Sequence, residues 1–148
     1  MFRLLAAASL TLALAAPAAL ANEAAIKARQ GQFQMFALNL GVLGQMAQGR
    51  TPYDAAAAQE AADNLYFLTR NTQLGMWPEG SDNGAAAGTR ALPAIWSNNA
   101  DFLAAYVALQ TGAEAMRAAA GADLAALQGA LGAVGGACQA CHQQFRAP

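Results

Sequence analysis

The sequence predicts an all-α protein folded as an antiparallel up-down-up-down four-helix bundle. Four segments carry apolar residues three and four positions apart, which is the spacing of one helix face. Short connections join the first segment to the second and the third to the fourth, so each pair is expected to be antiparallel. Hydrophobic residues make up 56% of the chain and aromatic residues only 7%, and this alanine-rich composition favours closely packed helices.

The first two helices are predicted over residues 23–48 and from residue 51 onward. One charged residue, Arg29, interrupts the apolar seam of the first helix. The second opens with Thr51 as the expected N-cap and with Asp54 placed to interact with the helix dipole. The seam positions are Ile26, Phe33, Phe36, Leu40, Leu43 and Ala47 on the first helix, and Ala58, Ala61, Leu65 and Leu68 on the second.

A long irregular segment, residues 75–96, is expected to cross between the two hairpins. Connections of this length are often functional, and Trp77 and Trp96 are predicted to anchor its two ends. The third helix should start after Ser97 and the fourth after Asp123. Their seams are Phe102, Tyr106, Leu109, Ala113 and Met116 on the third, and Leu124, Leu127, Leu131, Val134, Cys138, Cys141 and Phe145 on the fourth.

Both cysteines of the chain and its single histidine form one C-x-x-C-H run, residues 138–142. This run is the attachment signature of a c-type haem, in which two thiols form thioethers and the imidazole ligates the iron. Because positions i, i+3 and i+4 share a helix face, Cys138, Cys141 and His142 can address one porphyrin. The seam of the fourth helix passes through both cysteines, which predicts one covalent haem c in the core of the bundle.

Other interpretations of the run are less well supported. A disulfide or a thioredoxin-like redox pair would need a βαβ context, and no strand pattern precedes the run. A zinc site would need a fourth cysteine or histidine ligand, and the chain has none. A chance occurrence on a helix is the remaining alternative.

Four glycines, Gly129, Gly132, Gly135 and Gly136, interrupt the fourth helix. Each costs up to about 1 kcal/mol relative to alanine in a helix interior. They indicate either the close approach of a flat ring or a neighbouring helix, or a simple alanine–glycine bias in composition.

The N-terminus has the features of a secretory signal peptide. Arg3 precedes an apolar stretch at residues 4–16, and a small-x-small cleavage site follows at 19–21. A membrane anchor is the alternative, but the stretch is shorter than the ~20 residues that a spanning helix needs. Cleavage after Ala21 would leave one domain, residues 22–148, and a periplasmic location is expected, since haem attachment of this type happens outside the bacterial cytoplasm.

The formal charge of −1 and the absence of a basic stripe argue against nucleic acid as a partner. Beyond residue 21 we expect no apolar stretch long enough to span a bilayer, and therefore no membrane association after cleavage.

The chain resembles cytochrome c′, the class II c-type cytochromes, over essentially the whole of residues 22–148. In this family the attachment motif lies on the last helix, as it does here at residues 138–142. The first helix also matches, with Arg29 and Gln30 followed by the apolar Phe33 four positions after the arginine. The sequences T-P-Y-D at 51–54 and P-A-I-W-S at 93–97 match as well.

The resemblance implies a five-coordinate haem iron with His142 as its proximal ligand. The residue four positions after the arginine covers the opposite face of the haem in this family, and here it is Phe33. Phenylalanine has no lone pair to donate, so it can crowd the vacant coordination position without occupying it. Small diatomics such as NO and CO are then the expected ligands. Ordinary core packing is the alternative role for this side chain.

Polar residues are expected to surround the haem. A guanidinium on a bundle seam needs a carboxylate partner, and a haem propionate would serve Arg29 unless the side chain reaches solvent. Gln30 would join the same polar edge, and Thr89 or Arg90 would reach a propionate from the crossover segment. Arg146, one turn beyond the histidine, should approach the proximal side.

The predicted function is therefore that of a periplasmic haem protein that binds small gases and undergoes one-electron redox. The alternative is a low-spin electron carrier, in which a helix 1 methionine ligates the iron from the position that Phe33 holds here. Met35 lies two positions further along, on a different helix face. An enzyme is not expected, because no second histidine supplies distal acid–base chemistry. The redox partner is not identified, and many members of the family are homodimers through the first two helices.

Overall fold

The computed structural model describes residues 15–71, 73 and 75–148, with side chains from Asn22 onward. The predicted signal peptide lies outside this description, apart from the backbone of residues 15–21, which is helical. The helices are α1 (Ala15–Ala47), α2 (Ala55–Arg70), α3 (Ala94–Ser97), α4 (Asn99–Ala119) and α5 (Leu124–Phe145). Helix α3 is a single turn at the end of the crossover segment, so the bundle consists of the other four helices.

The four long helices pack in the cyclic order α1, α2, α4, α5, and each neighbour runs antiparallel to the last. Between α2 and α4, Arg117 pairs with Asp63 while Gln110 donates to the carbonyl of Thr69, so residue numbers rise on one helix as they fall on the other. Helices α1 and α2 are antiparallel as well, because Gln32 contacts Leu68 while Asn39 contacts Asn64. Helices α4 and α5 are also antiparallel, because Phe102 contacts Phe145 while Gly112 lies against Val134. The predicted architecture is confirmed.

The predicted seams form the core. All five seam positions of α4 are buried, and Leu43, Leu65, Leu127 and Val134 are at most 1% exposed. Phe33 is the exception, because 36% of its surface stays accessible although its seam neighbour Phe36 is buried.

Helix α2 starts later than the sequence suggests. Asp54 is the N-cap, and its Oδ1 accepts a hydrogen bond from the amide of Ala57 at 2.9 Å. The prediction that Thr51 caps this helix is therefore wrong. The Tyr53 hydroxyl donates to the carbonyl of Ala120 at 2.9 Å, and this contact with the end of α4 holds the segment before the helix in place.

Close helix approach occurs at a glycine outside α5. A Cβ added to Gly112 of α4 would lie 3.2 Å from the Val134 nitrogen and 3.3 Å from the Ala133 carbonyl carbon. The four glycines of α5 differ, because a Cβ there would meet no described atom within 4 Å. A close approach of a neighbouring helix at those four positions was thus a wrong interpretation.

Replacement of Gly112 by leucine is expected to lower the free energy of unfolding by about 2 kcal/mol, because the added atoms would push against the backbone of α5. The matched control is Gly132→Ala in α5, where the added methyl group meets open space. Its expected effect is a gain of up to about 1 kcal/mol from helix propensity. Urea unfolding of both variants measures the difference, and an equal loss in both would contradict the assigned contact.

By length and composition, α5 could cross a membrane, since it has 22 residues and contains an 18-residue window with a mean hydropathy of 1.3. The expectation that no such stretch follows residue 21 was wrong by this measure. Alanine raises the average without forming a run of large apolar side chains. Here the large buried side chains of this helix, Leu127, Val134 and Phe145, belong to the hydrophobic clusters of the bundle.

Candidate haem site

The C-x-x-C-H run occupies the last turns of α5, where the two hydrophobic clusters of the protein meet. Cys138 packs against the main core, and Cys141 packs against a second cluster. The buried members of that second cluster are Ala91, Ile95, Phe102 and Phe145. Both cysteines are free thiols of intermediate exposure. The prediction that they continue the core face of α5 is confirmed.

Burial raises the pKa of the Cys138 thiol above its ordinary value. Burial is also the main cause of the raised pKa of Cys141, and the neighbouring Cys138 adds to it. Both groups are therefore neutral thiols at neutral pH, the form that packs best against apolar side chains.

His142 lies on the exposed side of the same helix end. Burial of part of the ring lowers the pKa of the imidazole, and the charges of Arg146 and then Arg90 lower it further. The Nη1 atom of Arg146 lies 3.4 Å from the ring Nδ1. The neutral imidazole, the form that ligates a metal, is thus favoured.

A cleft of about 530 Å³ opens beside this imidazole. Besides His142, the residues that line it are Arg90, Gln139, Gln143, Arg146, Ala147 and Pro148. Arg90 comes from the crossover segment and the others from the C-terminal end, so two distant parts of the chain meet here.

Backbone pairing holds these two parts together. Ala91 and Arg146 form an isolated antiparallel β-bridge. The amide of Leu92 donates to the carbonyl of Phe145 at 3.0 Å, and the amide of Ala147 donates to the carbonyl of Arg90 at 2.8 Å. The crossover segment is therefore fastened to the end of α5, directly after the histidine.

An aromatic wall connects α1, the crossover segment, α4 and α5. Its members are joined edge to face, with ring centroids 5.7 Å apart for Phe33–Phe36, 6.4 Å for Phe33–Trp77, 5.0 Å for Trp77–Phe102 and 5.5 Å for Phe102–Phe145. Trp77 was predicted as a loop anchor, and it is also the central ring of this wall. No local sequence signal joins these five rings, because they come from four separate segments.

Arg29 fastens α1 to the crossover segment. Its Nη1 donates to the carbonyl of Met76 at 3.0 Å and to Ser81 Oγ at 2.8 Å, and its Nη2 donates to Ser81 O and to Thr89 Oγ1. The guanidinium also lies 4.5 Å from the ring centroid of Trp77. The side chain is 3% exposed and burial lowers its pKa, so the alternative that it reaches solvent is wrong.

Three neighbouring polar residues, Gln30, Ser81 and Thr89, also connect α1 with the crossover segment near Arg29. Gln30 Nε2 donates to the carbonyl of Gly88 at 2.6 Å, and Thr89 Oγ1 accepts from both Arg29 and the amide of Ala91. Ser81 was missed by the sequence analysis, although it is fully buried and accepts from the guanidinium. Serine in an irregular segment carries no periodic signal that could have identified it.

These residues fit a covalent haem. Two half-buried thiols one helical turn apart, a neutral imidazole beside them and an aromatic wall would provide the attachment groups, the iron ligand and the apolar surroundings that a haem c needs. Within the described residues, no group of three or more His, Cys, Asp or Glu side chains could hold a metal ion without a cofactor.

The fold and this site together define a c-type haem protein built on a four-helix bundle. A family model described as Cytochrome C′ matches residues 24–146. The chain belongs to this cytochrome c′ family and carries one covalently bound haem c. Cytochrome c-554 from Cereibacter sphaeroides is similar, with 43% identity over 143 residues that cover 93% of this chain and 94% of that protein.

Solved structures show the same similarity. Cytochrome c′ from Rhodobacter Spheriodes has 39% sequence identity and a TM-score of 0.83, over 85% of this chain and 97% of that one. The nitric oxide complex of a mutant of cytochrome c prime from Alcaligenes xylosoxidans has 33% identity and a TM-score of 0.75, over 86% and 97% of the two chains.

Proposed function

We propose that this protein is a periplasmic haem protein that binds NO and CO at a five-coordinate iron, undergoes one-electron redox and catalyses no reaction of its own. Cys138 and Cys141 form the thioethers, and His142 is the proximal ligand. A haem held in this way supplies one open coordination position and one redox couple. The observation that carries the proposal is Phe33 at the position where a ligating methionine would close the site.

Phe33 is suited to crowding that position without blocking it permanently. Its ring lies at the margin of the aromatic wall, in edge contact with Phe36 and Trp77. With 36% of its surface accessible, it has room to swing outward when a small ligand enters. The nitric oxide complex of a mutant of the Alcaligenes xylosoxidans protein shows that a variant of a relative binds NO, which supports the same role here.

The polar edge of the haem is assigned to Arg29, Gln30 and Thr89. Among the described residues no carboxylate pairs with the buried guanidinium, whose hydrogen bonds all come from Nη1 and Nη2. A buried cation without a counter-charge is costly, so a haem propionate near its Nε is the expected partner. Thr89 is already fixed beside it by the same guanidinium.

Export rests on the N-terminal signal. Asn22 would be the first residue after cleavage, and its side-chain amide donates to the carbonyls of Glu79 and Gly80 at 3.3 and 3.1 Å. Cleavage after Ala21 would preserve both contacts with the crossover segment. The processed domain would therefore keep the start of α1 in place.

The test is the spin state of the purified ferric protein, measured by electron paramagnetic resonance, together with CO titration of the ferrous form. We expect high-spin iron and CO binding. A low-spin ferric signal with a sulfur-ligand signature in the native protein would instead identify the six-coordinate electron carrier.

A substitution at Phe33 tests directly whether this residue leaves the coordination position open. Phe33→Met is expected to place a thioether over the vacant position and convert the ferric iron to low spin. The CO affinity should then fall by about tenfold or more, equivalent to about 1.4 kcal/mol of competing sulfur ligation. Met35→Leu is the control, because Met35 is 45% exposed on another face and its loss should change neither measurement.

A further inference from the structure

The cleft beside His142 carries positive charge on a molecule that is otherwise slightly acidic. Two guanidiniums, from Arg90 and Arg146, line it together with the amides of Gln139 and Gln143. Within the part of the chain that the structure describes, no Asp or Glu side chain lines it.

No Asp or Glu side chain of the described residues forms an ion pair with either arginine. The three ion pairs among the described residues join Lys27 to Glu23, Arg70 to Glu114 and Arg117 to Asp63, all outside the cleft. Arg90 donates from Nε and Nη2 to the carbonyl of Ala147 at 2.9 and 2.8 Å. These bonds hold its guanidinium in position while its charge remains, so the side chain is ordered before any partner arrives.

The positive charge of the cleft is opposite in sign to the net charge of the chain, and this difference affects how a partner associates. The formal charge of the whole chain is −1, and loss of Arg3 with the signal peptide makes it −2. Net charge alone would therefore repel an acidic partner. A local patch of the opposite sign can reverse this at short range and steer the partner to one face.

We propose that this cleft, built by Arg90 and Arg146 beside the haem ligand, is the docking surface for a redox partner protein whose contact face is rich in carboxylates. The proposal rests on the haem attachment assigned above. In the docked pair one electron passes from ferrous iron in this protein to the partner's oxidised centre, so the iron becomes ferric, the partner is reduced by one electron and no atom is transferred. Arginine and glutamine side chains in a cleft can bind carboxylate side chains directly, whereas a flat layer of anionic lipid would reach only its rim.

The first test measures how fast two inorganic oxidants, ferricyanide and tris(phenanthroline)cobalt(III), oxidise the ferrous holoprotein. The rates are measured from about 10 mM to about 0.3 M salt, because this range shortens the electrostatic screening length severalfold. If the cleft governs the encounter, the ferricyanide rate falls as salt rises, although both molecules carry net negative charge. The cobalt rate should rise over the same range. A ferricyanide rate that increases with salt would show that net charge dominates and would overturn the proposal.

The double variant Arg90→Gln with Arg146→Gln is expected to reverse the sign of the ferricyanide salt dependence and to lower the rate about fivefold at low salt. The control for each arginine replaced singly is Arg50→Gln, which removes one positive charge. Arg50 lies near the other end of α5, where Gln128 donates to the carbonyl of Ala47, and the helix has 22 residues or a length of about 33 Å. The control should keep the native sign. A change in reduction potential would shift rates at every salt concentration alike, so the slope isolates docking.

Direct binding provides a readout independent of electron transfer. Isothermal titration calorimetry with a decaglutamate peptide should give binding to the native holoprotein and to Arg50→Gln, and none to the double variant. Binding to phosphatidylglycerol vesicles without binding to the peptide would reassign the cleft to a membrane surface and overturn the proposal. Absence of covalent haem in the mass spectrum would refute the proposed function separately, since the peptide titration still reports on the cleft.

Discussion

Replacement of both Cys138 and Cys141 by alanine is expected to abolish covalent haem attachment and to leave the apoprotein folded as a helical bundle. The two sulfurs are the only groups in the chain that can form thioethers with haem vinyl groups. Each lies half-buried at the edge of a hydrophobic cluster, so alanine keeps part of the packing and the strong helix propensity of the position. Mass spectrometry of the exported protein measures the adduct, and far-ultraviolet circular dichroism measures the helix content.

Gln139→Ala is the matched control, because Gln139 lies between the cysteines but is exposed and outside both clusters. This variant should carry haem as the native protein does. A covalent adduct in the double cysteine variant would place the attachment elsewhere. A loss in the control would mean that the helix end, not the thiols, decides attachment.

Replacement of Arg29 by leucine is expected to lower the free energy of unfolding by about 3 kcal/mol, the second largest effect that we predict. Four acceptors on Met76, Ser81 and Thr89 would lose their donor, and the two on Ser81 are buried. An unsatisfied buried acceptor costs about 1–3 kcal/mol, and these costs do not simply add because the acceptors share one guanidinium. Denaturant unfolding measures the loss.

Two further variants test whether the hydrogen bonds of Arg29 cause this loss of stability. Arg29→Lys keeps the charge but lacks the fork that reaches Ser81 and Thr89 together, so an intermediate loss is expected. Arg70→Leu removes an exposed arginine that pairs with Glu114, and its cost should stay below about 1 kcal/mol. Hydrogen exchange should accelerate between residues 76 and 89 in the Arg29 variants alone. Equal losses at positions 29 and 70 would show that the hydrogen bonds to the crossover segment contribute little.

Helix faces were predictable because they depend only on residues close together in sequence. The seam of α4, from Phe102 to Met116, is buried at every predicted position, since a period of three and four residues places those side chains on one side of any helix. The local sequence did not distinguish between two candidate N-caps of α2. Thr51 and Asp54 are both good N-caps, and the structure shows that α2 begins after Asp54, with Tyr53 held against the end of α4.

The sequence by itself predicted the attachment chemistry, because Cys138, Cys141 and His142 form one C-x-x-C-H run whose spacing is local. Tertiary structure alone decided the partners of Arg29, which lie 47 to 60 residues away in a segment without periodicity. It also decided that Arg90 meets Arg146 beside the histidine, since a β-bridge brings the crossover segment back to the end of α5. Such pairings follow from the path of the backbone in space, which no short-range pattern encodes.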